Sequence, residues 1–191
     1  VLAGVNRSLD GGAAALYVQG GIADIMVRDG RIDEIGKALE VMRKAKKPAG
    51  IGAHSLETIK ECVAAGYEPD FWMKTLHLDA YWSATPKENR ADFDEISGSK
   101  PEHGKPHDNM WCTDAQATIE FMKSLKAPWI AFKTLAAGAI HPKRAFKWAF
   151  ENGADFICVG MFDFQVQENC DLAAEALAAV QKSGRSREWM G

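Results

Sequence analysis

Apolar residues follow two alternating rhythms along this chain. Five short runs are apolar at nearly every position: 14–21 (AALYVQGG), 48–55 (PAGIGAHS), 70–77 (DFWMKTLH), 128–135 (PWIAFKTL) and 154–162 (ADFICVGMF). Such runs, bounded by glycine, proline and aspartate, predict buried strands. Between them the spacing changes to three and four residues. Ile32, Ile35, Leu39 and Met42 form one stripe over 31–47, and Leu56, Ile59 and Val63 another over 56–66. Ile119, Met122 and Leu125 recur in 114–126, helix 142–152 opens on Pro142, and Ala173, Leu177 and Val180 line 165–182. Each predicts a helix with one face inward. Thr113 or Asp114 is placed to cap the third of these.

Strand and helix therefore alternate five times, which predicts an α/β domain with a parallel sheet covered by helices. One domain over 1–191 is expected, with a long loop or lid at 83–112 rich in Pro, Gly, Asn, Asp and His. Two arrangements compete. A doubly wound nucleotide-binding sheet usually carries GxGxxG after its first strand, and GGIADIMVRDG has the wrong spacing. The preferred expectation is a partial (β/α)8 TIM barrel: five βα units, with the first three strands missing. The opening VNRSLDGG reads as the tail of a helix feeding a strand.

Composition narrows the function classes. Apolar residues make up 47% and charged residues 26%, and the net charge is -3 with basic residues scattered, so no nucleic-acid surface is expected. The basic run RKAKK at 43–47 closes a helix, where cations suit the dipole. No stretch is long enough to span a membrane. Cys62, Cys158 and Cys170 occupy apolar positions and are expected as buried free thiols, which points to a reducing, cytoplasmic setting. A targeting segment upstream would not be visible.

Two strands carry a lysine just before they end: Lys74 in MKTL and Lys133 in FKTL. A buried lysine is costly unless something pairs with it or uses it. If Ile130 and Phe132 face the helices, Lys133 points into a barrel lumen, and the same choice places Lys74 there with Trp72 and Trp129. Two amines on neighbouring strands would then suit Schiff-base chemistry, with Lys74 as nucleophile and Lys133 as its tuner. The bland alternative is pairing with buried carboxylates.

Three further groups stand out. His54, His77 and Asp163 follow three strands and offer an alternative divalent-metal set; no cofactor is favoured. In the long loop, His103, His107, Asp108 and Cys112 have spacings that zinc could use, although GKP interrupts them. Gly138, Ala139 and Gly160, in turns after the last two strands, are candidates for phosphate. Gln19 ends the first strand at the same rim. Tyr81, Trp82 and Trp111 are candidates to stack on a sugar or to pack the lid.

The stretch PWIAFKTLAAGAIHPKRAFKWAFENGADFICVGMF resembles the end of many (β/α)8 enzymes. DFWMKT with AFKTLAAGAI resembles class I deoxyribose-phosphate aldolases, which carry a lysine in KT on the sixth strand and a second before AGGI on the seventh. About a third of the chain is covered. Here KTLHLDAYW stands for the aldolase KTSTGF, AGAI for AGGI, and VGMF for a Ser- and Gly-rich phosphate grip. The resemblance implies lysine-based lyase chemistry at Lys74 and Lys133 on a small carbonyl, sugar or sugar phosphate. The placing of His54, His77 and Asp163 resembles metal-dependent amidohydrolases. The whole chain also resembles an uncharacterised bacterial family of (β/α)8 proteins, some of them aldo-keto-reductase-like, which implies a fold without a chemistry. The expected partners are a small molecule and either a second copy of the chain or the missing N-terminal half. An inactive fragment or subunit is the non-enzymatic alternative.

Overall fold

The computed structural model describes residues 1–93 and 110–190. Five parallel strands form one sheet: β1 (Leu16–Val18), β2 (Ala49–Ala53), β3 (Phe71–Thr75), β4 (Trp129–Phe132) and β5 (Phe156–Cys158). Their spatial order is their chain order, without the reversal of a doubly wound sheet. Helices α1 (Leu2–Asp10), α2 (Gly20–Arg28), α3 (Asp33–Lys44), α4 (Leu56–Ala64), α5 (Ala115–Lys123), α6 (Pro142–Glu151) and α7 (Val166–Ser183) alternate with the strands.

Local chemistry explains these elements. Asp33 and Glu34 open α3 while Arg43 and Lys44 close it, which matches charge to the helix dipole at both ends. Its inward stripe is Ile35, Ala38, Leu39 and Met42. The Asp114 carboxylate accepts the Ala117 N–H at 2.8 Å and starts α5 as expected. Helix α2 was not legible in the sequence. It begins on two glycines, capped by Gln19, whose Oε1 accepts the Ile22 N–H at 3.0 Å.

The two faces of the sheet differ. Leu16, Val18, Ala49, Ile51, Ala53, Trp72, Trp129 and Ala131 share a core with inward residues of α1 through α6. The register fixes what lies opposite, because Trp72 pairs with Trp129 and Lys74 with Ala131. Tyr17, Phe71, Met73, Ile130, Phe132, Phe156 and Cys158 therefore line the other face, and none of them belongs to an apolar cluster. Tyr17 is 41% and Phe156 48% exposed. This reverses the sequence expectation. The tryptophans, not Ile130 and Phe132, pack against the helices. Trp129 can be fully buried there because its indole N–H reaches the Lys74 carbonyl at 3.1 Å.

Smaller corrections follow from the same packing. Val63 is outward, and Thr58 and Cys62 take the inward places beside Ile59. Cys62 and Cys112 are buried, whereas Cys158 and Cys170 are exposed. A second core, around Phe146, Phe150, Ala176 and Val180, joins α6 to α7. Under β4 and β5, buried Asp155 accepts the Trp129 N–H at 2.8 Å and pairs with Arg185 and Arg187. Arg187 also donates to the carbonyls of Leu125 and Ala127, at 2.8 and 2.7 Å, so residues 185–190 are latched to the base of the sheet.

Candidate functional site

The C-terminal ends of β2, β3 and β4 gather most of the expected residues. At β2, the backbone turns sharply into α4. Asp24 of α2, fully buried, holds that turn. Its Oδ2 accepts the His54 backbone N–H and His54 Nδ1–H, each at 2.9 Å. Its Oδ1 accepts the Thr58 hydroxyl at 2.7 Å and the Ser55 N–H at 3.3 Å. With Nδ1 donating to a carboxylate, a neutral His54 carries its lone pair on Nε2. Nε2 has no hydrogen-bond partner among the described residues. The ring stands edge-on to Phe132, with centroids 5.1 Å apart, and a Cβ on Gly20 would come within 3.2 Å of it.

At β3, Lys74 starts on the helix-facing side of the sheet and is 1% exposed. Its ammonium donates to the Thr75 hydroxyl at 2.8 Å and the Thr75 carbonyl at 3.1 Å. Among the described residues no carboxylate pairs with it. The Thr75 hydroxyl also lies 3.0 Å from the His54 carbonyl oxygen and 2.6 Å from that of Trp111. Lys74, Thr75 and the end of β2 are thus joined, beneath a strap formed by residues 110–112.

His77 holds that strap. Its Nε2 accepts the N–H groups of Trp111 and Cys112, at 3.1 and 3.0 Å, and its Nδ1 donates to the Leu78 carbonyl at 3.0 Å. Burial, helped by the nearby Lys74 charge and opposed by the Leu78 bond, brings its pKa down to about 4. His77 is thus a neutral clamp with both nitrogens engaged, unlike a metal ligand or a base. Asp163 lies in a short turn after β5, and no group of three His, Cys, Asp or Glu among the described residues could hold a metal ion. His103, His107 and Asp108 lie outside the described residues. Cys112 sits 3.7 Å from the Thr118 hydroxyl. The root of the strap is tied by Arg90, which pairs with Asp79 and donates to the Thr85 and Thr113 carbonyls, all at 2.8 Å.

Neither lysine takes the lumen position expected for it, since Lys74 springs from the face that meets the helices. Lys133 lies just past β4 with φ at +60°, is exposed, and sets its ammonium 4.2 Å from the Trp111 ring centroid. Its ammonium and that of Lys74 thus have different partners, the Trp111 ring and Thr75. Ala136, Ala137 and Gly138 also have positive φ. For three non-glycine residues this is a concentration of backbone strain at one turn. Thr134 within it is 2% exposed, and its hydroxyl has no hydrogen-bond partner among the described residues.

The phosphate candidates fare differently. The N–H groups of Gly138 and Ala139 are spent on the Leu135 and Ala136 carbonyls, at 2.9 and 3.2 Å, which leaves neither for an anion. Gly160 faces open space. The Gln19 side chain is used as a helix cap. Trp82 is 82% exposed, while the Tyr81 hydroxyl reaches Met110 Sδ at 3.2 Å and burial pushes its pKa up to about 12.

Sequence reasoning missed Asp24. Its only signal was a single aspartate inside the apolar run IADIMV, on the stripe with Ala23 and Met26. Compared with known proteins, the chain matches no family model, no curated protein and no solved structure.

Proposed function

We propose that this chain is part of a (β/α)8-type enzyme that acts on a small aldehyde or ketone, such as a sugar, through a Schiff base on Lys74. One observation carries the reading: Lys74 is a fully buried amine with no acid partner among the described residues, at the C-terminal end of a parallel strand. A structural lysine in such a place would have a carboxylate. Burial without a counter-ion is the setting in which lysine amines serve as nucleophiles.

Two features support the barrel part of the reading. The strands follow one another in order, and the helices cover a single face. The strained turn at 133–138 and the Thr134 hydroxyl, without a partner among the described residues, add polar capacity at the end of β4, next to the strand that carries Lys74. Substrate reaches the amine when the strap at 110–112 lifts from Thr75 and His77.

Borohydride reduction in the presence of dihydroxyacetone, glyceraldehyde or acetaldehyde tests this. The expected result is a covalent adduct mapped by mass spectrometry to Lys74, absent in Lys74→Ala. An adduct spread over surface lysines, and undiminished in Lys74→Ala, would refute the proposal.

A further inference from the structure

Asp24 and His54 form a buried pair that the Schiff base alone does not use. The carboxylate takes four donors, two of them from His54, so it fixes the ring in both position and tautomer. What remains is a basic Nε2 on a nearly buried ring, without a partner among the described residues. A structural histidine in such surroundings normally spends both nitrogens, as His77 does at the end of the neighbouring strand. Gly20 keeps the space beside the ring clear, since any larger residue would press on it. The His54 carbonyl also touches the Thr75 hydroxyl that receives the Lys74 amine, so the two groups belong to one rim.

We infer that His54 Nε2 is the acid–base group that moves a proton at the carbon next to the Lys74 imine, and that Asp24 is its positioning residue. The inference rests on the Schiff-base reading above. The Lys74 amine adds to the carbonyl carbon, and the oxygen leaves as water after taking up protons, which gives an iminium. His54 Nε2 then removes a proton from the α-carbon. The C–H electron pair forms the enamine C=C bond, the C=N π pair moves onto nitrogen and neutralises it, and His54 becomes imidazolium hydrogen-bonded to the Asp24 carboxylate. Reversal returns the proton. The substrate must therefore be an aldehyde or ketone with an α-hydrogen.

The test is exchange of α-hydrogen for deuterium in dihydroxyacetone or propanal, followed by NMR in D2O, beside borohydride trapping. The wild type is expected to do both. His54→Ala is expected to retain the Lys74 adduct and lose exchange by a factor of about 10²–10⁴, with partial recovery on adding imidazole. Asp24→Asn is read by ¹⁵N NMR of the ring: the protonated nitrogen should move from Nδ1 to Nε2, and exchange should fall with it. Retained trapping with undiminished exchange in His54→Ala overturns the role of His54 alone. An unchanged tautomer in Asp24→Asn overturns the role of Asp24. No adduct in the wild type overturns the Schiff-base reading, and this step with it.

Discussion

Lys74 and His77 are three residues apart, both buried, and chemically opposite. His77 has all its hydrogen bonds and a pKa of about 4, against about 6.5 in an unfolded chain. Below 6.5 the unfolded state takes up a proton that the native state refuses. Stability from this group is thus full above 6.5 and is lost as pH falls towards 4. Between pH 7 and 5 the loss should be about 2 kcal/mol, measured by urea unfolding, and His77→Gln should flatten that slope. Lys74 differs in its partners: among the described residues its buried amine meets a hydroxyl and a carbonyl and no carboxylate. Lys74→Met keeps the volume and removes the amine. It should abolish borohydride trapping and raise stability by about 1–3 kcal/mol, as replacements of poorly compensated buried polar groups do. A loss of stability instead would mark Lys74 as a structural residue.

At the level of elements, strands and most helices were legible because burial imposes periods of two and of three to four residues. Helix α2 was not, because Gly20 and Gly21 read as the end of a strand. The assignment of sheet faces failed for a related reason. Each strand is apolar on both sides, so alternation in sequence cannot say which side meets the helices. Asp24 was invisible as a site residue because its partners, His54 and Thr58, lie 30 and 34 positions away. Glycines in β2 reveal the packing only afterwards. A Cβ on Gly50 would enter the Phe71 ring, and one on Gly52 would lie 2.8 Å from the Gly20 nitrogen and the Val18 carbonyl. Phe71 can turn aside, but backbone cannot. Gly52→Ala should therefore cost about 1–3 kcal/mol in thermal or urea unfolding and distort the loop beneath His54.

On the scale of the whole molecule, the open sheet face is the feature that local reasoning reaches last. Cys158 lies on it at the edge strand, while Cys170 lies on α7, and both are exposed. Cys62 is buried, with burial pushing its thiol pKa up to about 12, and Cys112 is buried under the strap. A thiol-specific reagent should therefore modify Cys158 and Cys170 in the native protein, and Cys62 and Cys112 only after denaturation. If further βα units close the sheet, Cys158 becomes protected and Cys170 stays reactive, so one labelling experiment reports on the barrel. The strand order has a kinetic consequence as well. Each strand from β2 onwards pairs with its immediate predecessor, so its partner has already left the ribosome when it emerges. Assembly can then proceed in the direction of synthesis. The widest gap to be closed runs from Thr75 at the end of β3 to Trp129 at the start of β4, and it contains the strap that covers Lys74. Loop-closure entropy makes that junction the slow one, so the candidate site is assembled at the step on which the order of folding turns.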